Sequence, residues 1–220
     1  MQSTERKLLM NASSNCEEVL TMIGQKTLVC PLERADCDRI ASWKPIVDPL
    51  MALYVIPKRD RAGWDRWFQE CTQETENRAF AIDSSDREFI GFILLTKINA
   101  TTGSADLHVQ IDPDRFGQGL ATDGLRTFLE IYFGKWNRET LTVVLPCYHT
   151  AGRRFVQTNS FVLKERVWRP EPRGMDVFSM PALAPYRRFF RVVSNKTEVQ
   201  WSVMELSRLC WLSKRETWKS

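Results

Sequence analysis

The feature that most constrains this chain is the run Asp112-Pro113-Asp114-Arg115-Phe116-Gly117-Gln118-Gly119-Leu120-Ala121-Thr122. A strand-like segment enters it, and an amphipathic helical pattern leaves it. Glycines two residues apart at the start of a helix leave bare backbone N–H groups facing outward, with no side chain in the way. The unpaired donors of the first turn and the helix dipole make that position attractive to an anion. The run has no Lys-Ser/Thr ending, so it is not a Walker A loop. It also lacks the third glycine of a dinucleotide fingerprint. What remains is a seat for phosphates between a strand and a helix, which points to an α/β arrangement.

The surrounding periodicity predicts the rest. Strand patterns occupy 27–33, 78–82, 89–98, 105–111, 140–146 and 161–168, with a last one at 176–180. Pro31 marks the first as an edge strand. The turn Asn99–Gly103 joins two strands of a three-strand succession, which reads as an antiparallel meander. Helical patterns occupy 15–23 (opened by the capping box Ser14–Glu17), 35–44, 64–75 and 150–158. After the glycines, Ala121, Leu125, Phe128, Leu129 and Tyr132 fall on one helix side. Asn195–Glu198 resembles a further capping box. Val199, Val203, Leu206 and Cys210 then follow at helical spacing, flanked by Trp201 and Trp211. The fold class is α/β of the α+β kind: a mixed, mostly antiparallel central sheet flanked by helices. The expected division is a helical extension over 1–26, a main domain over 27–182, and a basic extension with an amphipathic helix over 183–220.

Charge divides along the chain. Residues 1–149 carry 17 Lys/Arg against 21 Asp/Glu, and residues 150–220 carry 14 against 6. Such a split can steer an anionic ligand, but interleaved acids and the lack of an aromatic–basic motif do not favour nucleic acid. The six cysteines form no C-x-x-C pair, and there are two histidines, so no metal site is expected. Scattered cysteines, no signal-peptide pattern and no long apolar run lead to the expectation of a cytoplasmic protein without a membrane partner.

With the order of elements and the segment Arg115-Phe-Gly-Gln-Gly-Leu-Ala-Thr122 in view, residues 27–180 resemble the GNAT superfamily of acetyl-CoA-dependent N-acetyltransferases. The likeness is greatest to the branch of ribosomal-protein N-terminal and spermidine acetyltransferases. The family's Q/R-x-x-G-x-G/A motif aligns with Phe116-Gly117-Gln118-Gly119-Leu120-Ala121, an aromatic standing at the first position. The resemblance implies acetyl-CoA as cosubstrate, its pyrophosphate held by backbone N–H groups of Gly117 to Thr122. It implies that Val109, Gln110 and Ile111 pair with the pantetheine, opposite strand 140–146. His149, Arg153 and Arg154, at the start of the later helix, join the cofactor set. The branch's Asn-x-x-Ser pattern there is replaced by His149 and Gly152, so the usual serine hydroxyl is absent.

The chemistry that the resemblance implies is acetyl transfer to a primary amine, by direct attack in a ternary complex. The acceptor is a small amine or a protein N-terminus. The amine must be neutral to attack, and the leaving thiolate must be stabilised. Strand alternation puts Asp106, His108 and Gln110 on one face and Leu107, Val109 and Ile111 on the other. Asp106 is the expected base, with His108 a second candidate on the same side. Tyr148, beyond strand 140–146, is the expected proton donor to the thiolate. Trp43, Asp48 and Tyr54 are the expected acceptor-pocket residues, aromatic and acidic as a cation requires. A homodimer through the C-terminal helix is a further expectation. The rival is a catalytically weakened acyl-CoA-binding module acting through a protein partner.

Overall fold

A computed structural model describes residues 21–46, 56–171 and 177–218. Among them, nine strands form one sheet. They are β1 (Met22–Ile23), β2 (Thr27–Pro31), β3 (Arg78–Ser84), β4 (Phe89–Asn99), β5 (Ser104–Ile111), β6 (Thr140–Pro146), β7 (Val162–Pro170), β8 (Phe190–Val193) and β9 (Lys196–Ser207). Their order across the sheet is β1-β2-β3-β4-β5-β6-β9-β7, with β8 paired to β9. Every pairing is antiparallel except β5 with β6. The helices are α1 (Arg34–Ser42), α2 (Arg61–Gln73), α3 (Leu120–Leu129), α4 (Thr150–Thr158) and α5 (Arg208–Lys214).

Cross-strand register fixes which residues share a face. Phe80, Ile93 and Val109 are partners, as are Arg78, Leu95 and Leu107. That face meets α3 through Leu125, Phe128 and Leu129 in the main core. The opposite face carries Ala79 with Leu94 and His108, and Ala81 with Phe92 and Gln110. There α1 and α2 pack over β2–β4 with Ile40, Trp64, Trp67 and Cys71. Asp60 caps α2, accepting from the Gly63 N–H at 2.7 Å, which explains the helix start.

The expected helix along 195–210 is instead a strand, and this corrects the sequence reading. β9 runs between β6 and β7 with apolar residues on both faces: Val199 faces one side, and Met204 and Leu206 the other. A strand with apolar residues on both faces lets a helical stripe be drawn through it. The apparent capping box is a hairpin turn. Ser194 and Asn195 have φ of +48° and +60° between the paired Val193 and Lys196, as a two-residue primed turn requires. Only Arg208–Lys214 is helical, capped by Ser207, whose hydroxyl accepts from the Cys210 N–H. The stripe therefore offers no face for a dimer: Val199 and Leu206 lie within the sheet, and Trp211 packs 5.6 Å from Phe133 between ring centres. The expected boundary at 182 likewise falls inside one sheet.

Smaller corrections are local. Met22–Ile23 is a strand where the end of a helix was expected, and residues 15–20 lie outside the described residues. Residues 177–179 form a turn rather than a strand. Truncating a β9 side chain should expose its role. Leu206→Ala, at a fully buried site, should lower unfolding free energy by about 2–4 kcal/mol, whereas Leu209→Ala, 78% exposed on α5, should change it by less than about 0.5 kcal/mol. Urea unfolding of the two variants checks this.

Candidate active site

β5 and β6 pair over only three positions: Ser104 with Thr140, Ala105 with Leu141, and Asp106 with Thr142. Past that point the strands follow different neighbours. β5 stays in register with β4 as far as Ile111 opposite Gly91. β6 stays in register with β9 as far as Pro146 opposite Trp201. No strand pairing joins Leu107–Ile111 to Val143–Pro146, so a V-shaped cleft of main chain opens from an apex at Asp106 and Thr142. Backbone groups on its edges can pair with an extended amide-bearing chain, as a strand would.

The wide end of the V meets the glycine loop. Asp112 accepts from the Asp114 N–H and starts a single 3₁₀ turn, Pro113–Arg115. Gly117 and Gly119 both have φ of +78°, which strains any other residue. Gly119 is the N-cap of α3, leaving the N–H groups of Leu120, Ala121 and Thr122 without helical partners. A β-carbon on Gly117 would touch nothing, so the space beside that residue is open. Phe116 is 51% exposed. The expected cofactor residues Val109, Gln110 and Ile111, and Phe116, Gly117, Gln118, Gly119, Leu120, Ala121 and Thr122, follow one another from the end of β5 that does not pair with β6 to the first turn of α3. A pyrophosphate joined to an amide-bearing arm, as in acyl-CoA, fits this donor set.

On the α1–α2 face, Asp106, His108 and Gln110 form a polar row along β5, continued by Thr142 and Glu205 across the sheet. A bulge in β4 between Thr96 and Asn99, with Lys97 at φ +50°, turns the Lys97 ammonium onto this row. Its Nζ lies 2.7 Å from Asp106 Oδ2. The Nε2 of His108 is 3.3 Å from the Thr96 hydroxyl. Desolvation lowers the pKa of His108 below its ordinary value; the charge of Asp106 opposes this, and that of Lys97 adds to it. His108 is therefore neutral at pH 7 and able to accept a proton.

Two aromatic clusters lie on this face of the sheet. On one side Trp43 stacks on Phe89 and Phe92, with ring centres at 5.9 and 6.3 Å. Trp64 and Trp67 meet edge to face at 5.5 Å and are core residues. Asp48 and Tyr54 lie outside the described residues. On the other side Tyr148 stacks on Phe190 at 5.3 Å, beside Leu183 and Val199. Its ring is 3% exposed and belongs to that wall. His149 caps α4, its Nδ1 accepting from the Gly152 N–H at 3.2 Å. A β-carbon on Gly152 would meet the His149 ring, so the two residues depend on each other. Arg153 turns back to donate to the Cys147 carbonyl at 3.2 Å, while Arg154 is exposed.

Sequence reasoning missed Lys97, because a bulge leaves no mark in a run such as Leu-Leu-Thr-Lys-Ile. It also missed Asp123. That carboxylate accepts from the N–H groups of Gln25 and Lys26 and from the Thr27 hydroxyl, tying the β1–β2 turn to the first turn of α3. Among the described residues no group of His, Cys, Asp or Glu is arranged to hold a metal, and no helix is long and apolar enough to cross a membrane.

The fold is that of known acetyltransferases. A spermidine N-acetyltransferase from Vibrio cholerae, in complex with CoA and spermine, superposes with a TM-score of 0.64 at 16% identity, covering 84% of this chain and 98% of that one. The spermidine/spermine N-acetyltransferase SpeG from Vibrio cholerae, in complex with manganese ions, gives a TM-score of 0.61 at 15% identity, over 86% and 96% of the two chains. A dodecameric structure of the spermidine N-acetyltransferase from Vibrio cholerae in an intermediate state gives 0.60 at 16% identity, over 86% and 97%. A search of curated protein sequences gives no match. The sequence profile described as "Acetyltransferase (GNAT) domain" matches residues 27–162, from β2 through the cleft to the start of β7. Because that match takes in more than half of the chain and both arms of the V, the protein belongs to the GNAT family of acetyl-CoA-dependent N-acetyltransferases.

Proposed function

We propose that the protein acetylates a primary amine carried by a small polycation or a peptide N-terminus, by direct attack in a ternary complex. The observation that carries this reading is the ion pair at the apex: Asp106 already binds an ammonium group, that of Lys97, on the α1–α2 face. A substrate ammonium entering the groove meets the same carboxylate, with Trp43 at one side offering a cation–π surface. The spermidine acetyltransferases of the same fold support a polyamine as the first acceptor to test.

When bound, acetyl-CoA supplies the activated acyl group. The residues of the chain do the rest. Gly117–Thr122 hold phosphates by their N–H groups, and the edges of β5 and β6 hold the arm in the cleft. Asp106 orients the ammonium and takes its proton, directly or through water, with His108 as a neutral relay two residues along the strand. Tyr148, its ring held against Phe190, closes the far wall, and its hydroxyl is the remaining candidate for protonating the thiolate. Arg154 at α4 is free to approach phosphates, whereas Arg153 and His149 shape the turn from β6 into α4. Any homodimer through α5 rests on Leu209 and Leu212, its exposed apolar side chains.

The test is turnover. Incubation with acetyl-CoA and a panel of polyamines, amino acids, aminoglycosides and N-terminal peptides should release free thiol with at least one amine. Thermal stabilisation by CoA without any turnover would favour the weakened binding module instead. Gly119→Trp should abolish that stabilisation, because the left-handed backbone and the donor surface are both lost. Asp106→Asn should lower kcat about 100-fold, in the range for loss of a general base. The acid limb of the rate should fall below the ordinary histidine value of about 6.5, since His108 gains its proton only there, and His108→Gln should remove it. Tyr148→Phe keeps the stacked ring, so a fall in kcat at unchanged melting temperature would assign the proton donor, and an unchanged kcat would assign a wall.

A further inference from the structure

The glycine loop has a charge deficit. Its own side chains bring Asp112, Asp114 and Arg115, and Arg115 is held by Glu88 at 2.6 Å. Lys44, the nearby cation on the α1 side, is held by Asp114 at 2.7 Å. Phe116 adds none. Phosphates seated here would face backbone dipoles and two carboxylates, with both of these cations already paired.

Among the described residues a further cation reaches the loop, and it comes from nearly a hundred residues earlier in the sequence. Lys26 sits in the turn between β1 and β2, and its Nζ lies 3.7 Å from where a β-carbon of Gly119 would be. It forms no ion pair with a carboxylate among the described residues. Its backbone is clamped from both sides. The Lys26 N–H donates to Asp123 at 2.9 Å, and its carbonyl accepts from the Ser85 N–H at 3.1 Å. The turn comes this close to α3 because residue 24 is glycine: a β-carbon there would collide with Asp123 and Thr127. Asp123 accepts also from the Gln25 N–H and the Thr27 hydroxyl, so it holds the turn that carries Lys26, and no ion pair joins it to the Lys26 ammonium among the described residues.

We propose that Lys26 is a ligand of the acyl-CoA pyrophosphate, delivered to the glycine loop by the β1–β2 turn. The proposal rests on the reading of the cleft as the acyl-CoA site. It assigns the pyrophosphate, rather than the 3′-phosphate, because the ammonium stands over the residue that caps α3, where the unpaired N–H groups converge. Lys26 positions and neutralises; it takes no part in bond making.

Calorimetric titration of CoA and of dephospho-CoA into the wild type, Lys26→Gln and Lys26→Arg tests this. Lys26 is exposed, so neither substitution threatens folding. Lys26→Gln should weaken both nucleotides about fivefold to tenfold, the range for one charged contact in partly open solvent. Lys26→Arg should stay within about twofold of the wild type, and the gap to Lys26→Gln should narrow in high salt. Equal affinity of Lys26→Gln and the wild type would overturn the proposal. A loss seen with CoA and absent with dephospho-CoA would overturn the pyrophosphate assignment. Wild-type protein that binds neither nucleotide would overturn the acyl-CoA reading of the cleft itself, a result distinct from the first two.

Discussion

Three parallel residue pairs between β5 and β6 carry the architecture. On one side of them lies an antiparallel sheet, β1 to β5, roofed by α1 and α2 on one face and by α3 on the other. On the other side lies a second antiparallel unit, built by β6, β9, β7 and β8. Each half is tied firmly within itself, β4 to β5 along seven register positions and β6 to β9 along another seven. The cleft is what remains when two well-paired halves share only a short run of strand pairing above one continuous apolar core. Lengthening that pairing would close the cleft.

The electrostatics follow from this division. The glycine loop at the wide end offers main-chain N–H donors, and the apex carries Asp106 paired with Lys97. On the proposed reading, these two ends serve the phosphates of the cosubstrate and the ammonium of the acceptor. The distance between them is set by the run of β5 from Asp106 to Ile111, about 17 Å at a strand's rise per residue. A chain that seats its phosphates at one end places its reacting end near the other.

Much of this was legible in the sequence, and the parts that were not share a cause. The glycines, the meander and the strand at 140–146 are local patterns, and the structure has each of them where the periodicity puts it. β9 reads as a helix because its apolar residues fall on both faces, Val199, Trp201 and Val203 on one and Met204 and Leu206 on the other, which hides the alternation in the sequence. Lys97 depends on a bulge and Lys26 on a carboxylate nearly a hundred residues away, and neither dependence has a local signature. His149 and Gly152 were placed correctly at the start of a helix, but their mutual fit, ring over glycine, shows only in three dimensions. The tryptophans at 64 and 67 illustrate the reverse case: aromatic and well spaced, they fill a core.

The position of β9 has a consequence for synthesis. β6 and β7 are neighbours in sequence but cannot pair with each other; the strand that separates them is made last. Until residue 207 has left the ribosome, one arm of the cleft has an open edge and the main core lacks Met204 and Leu206. Contacts of that kind, distant in sequence and late in arrival, slow folding and expose strand edges while they wait. The nascent chain therefore carries its glycine loop and the β5 arm of the cleft complete well before the β6 arm gains its outer neighbour.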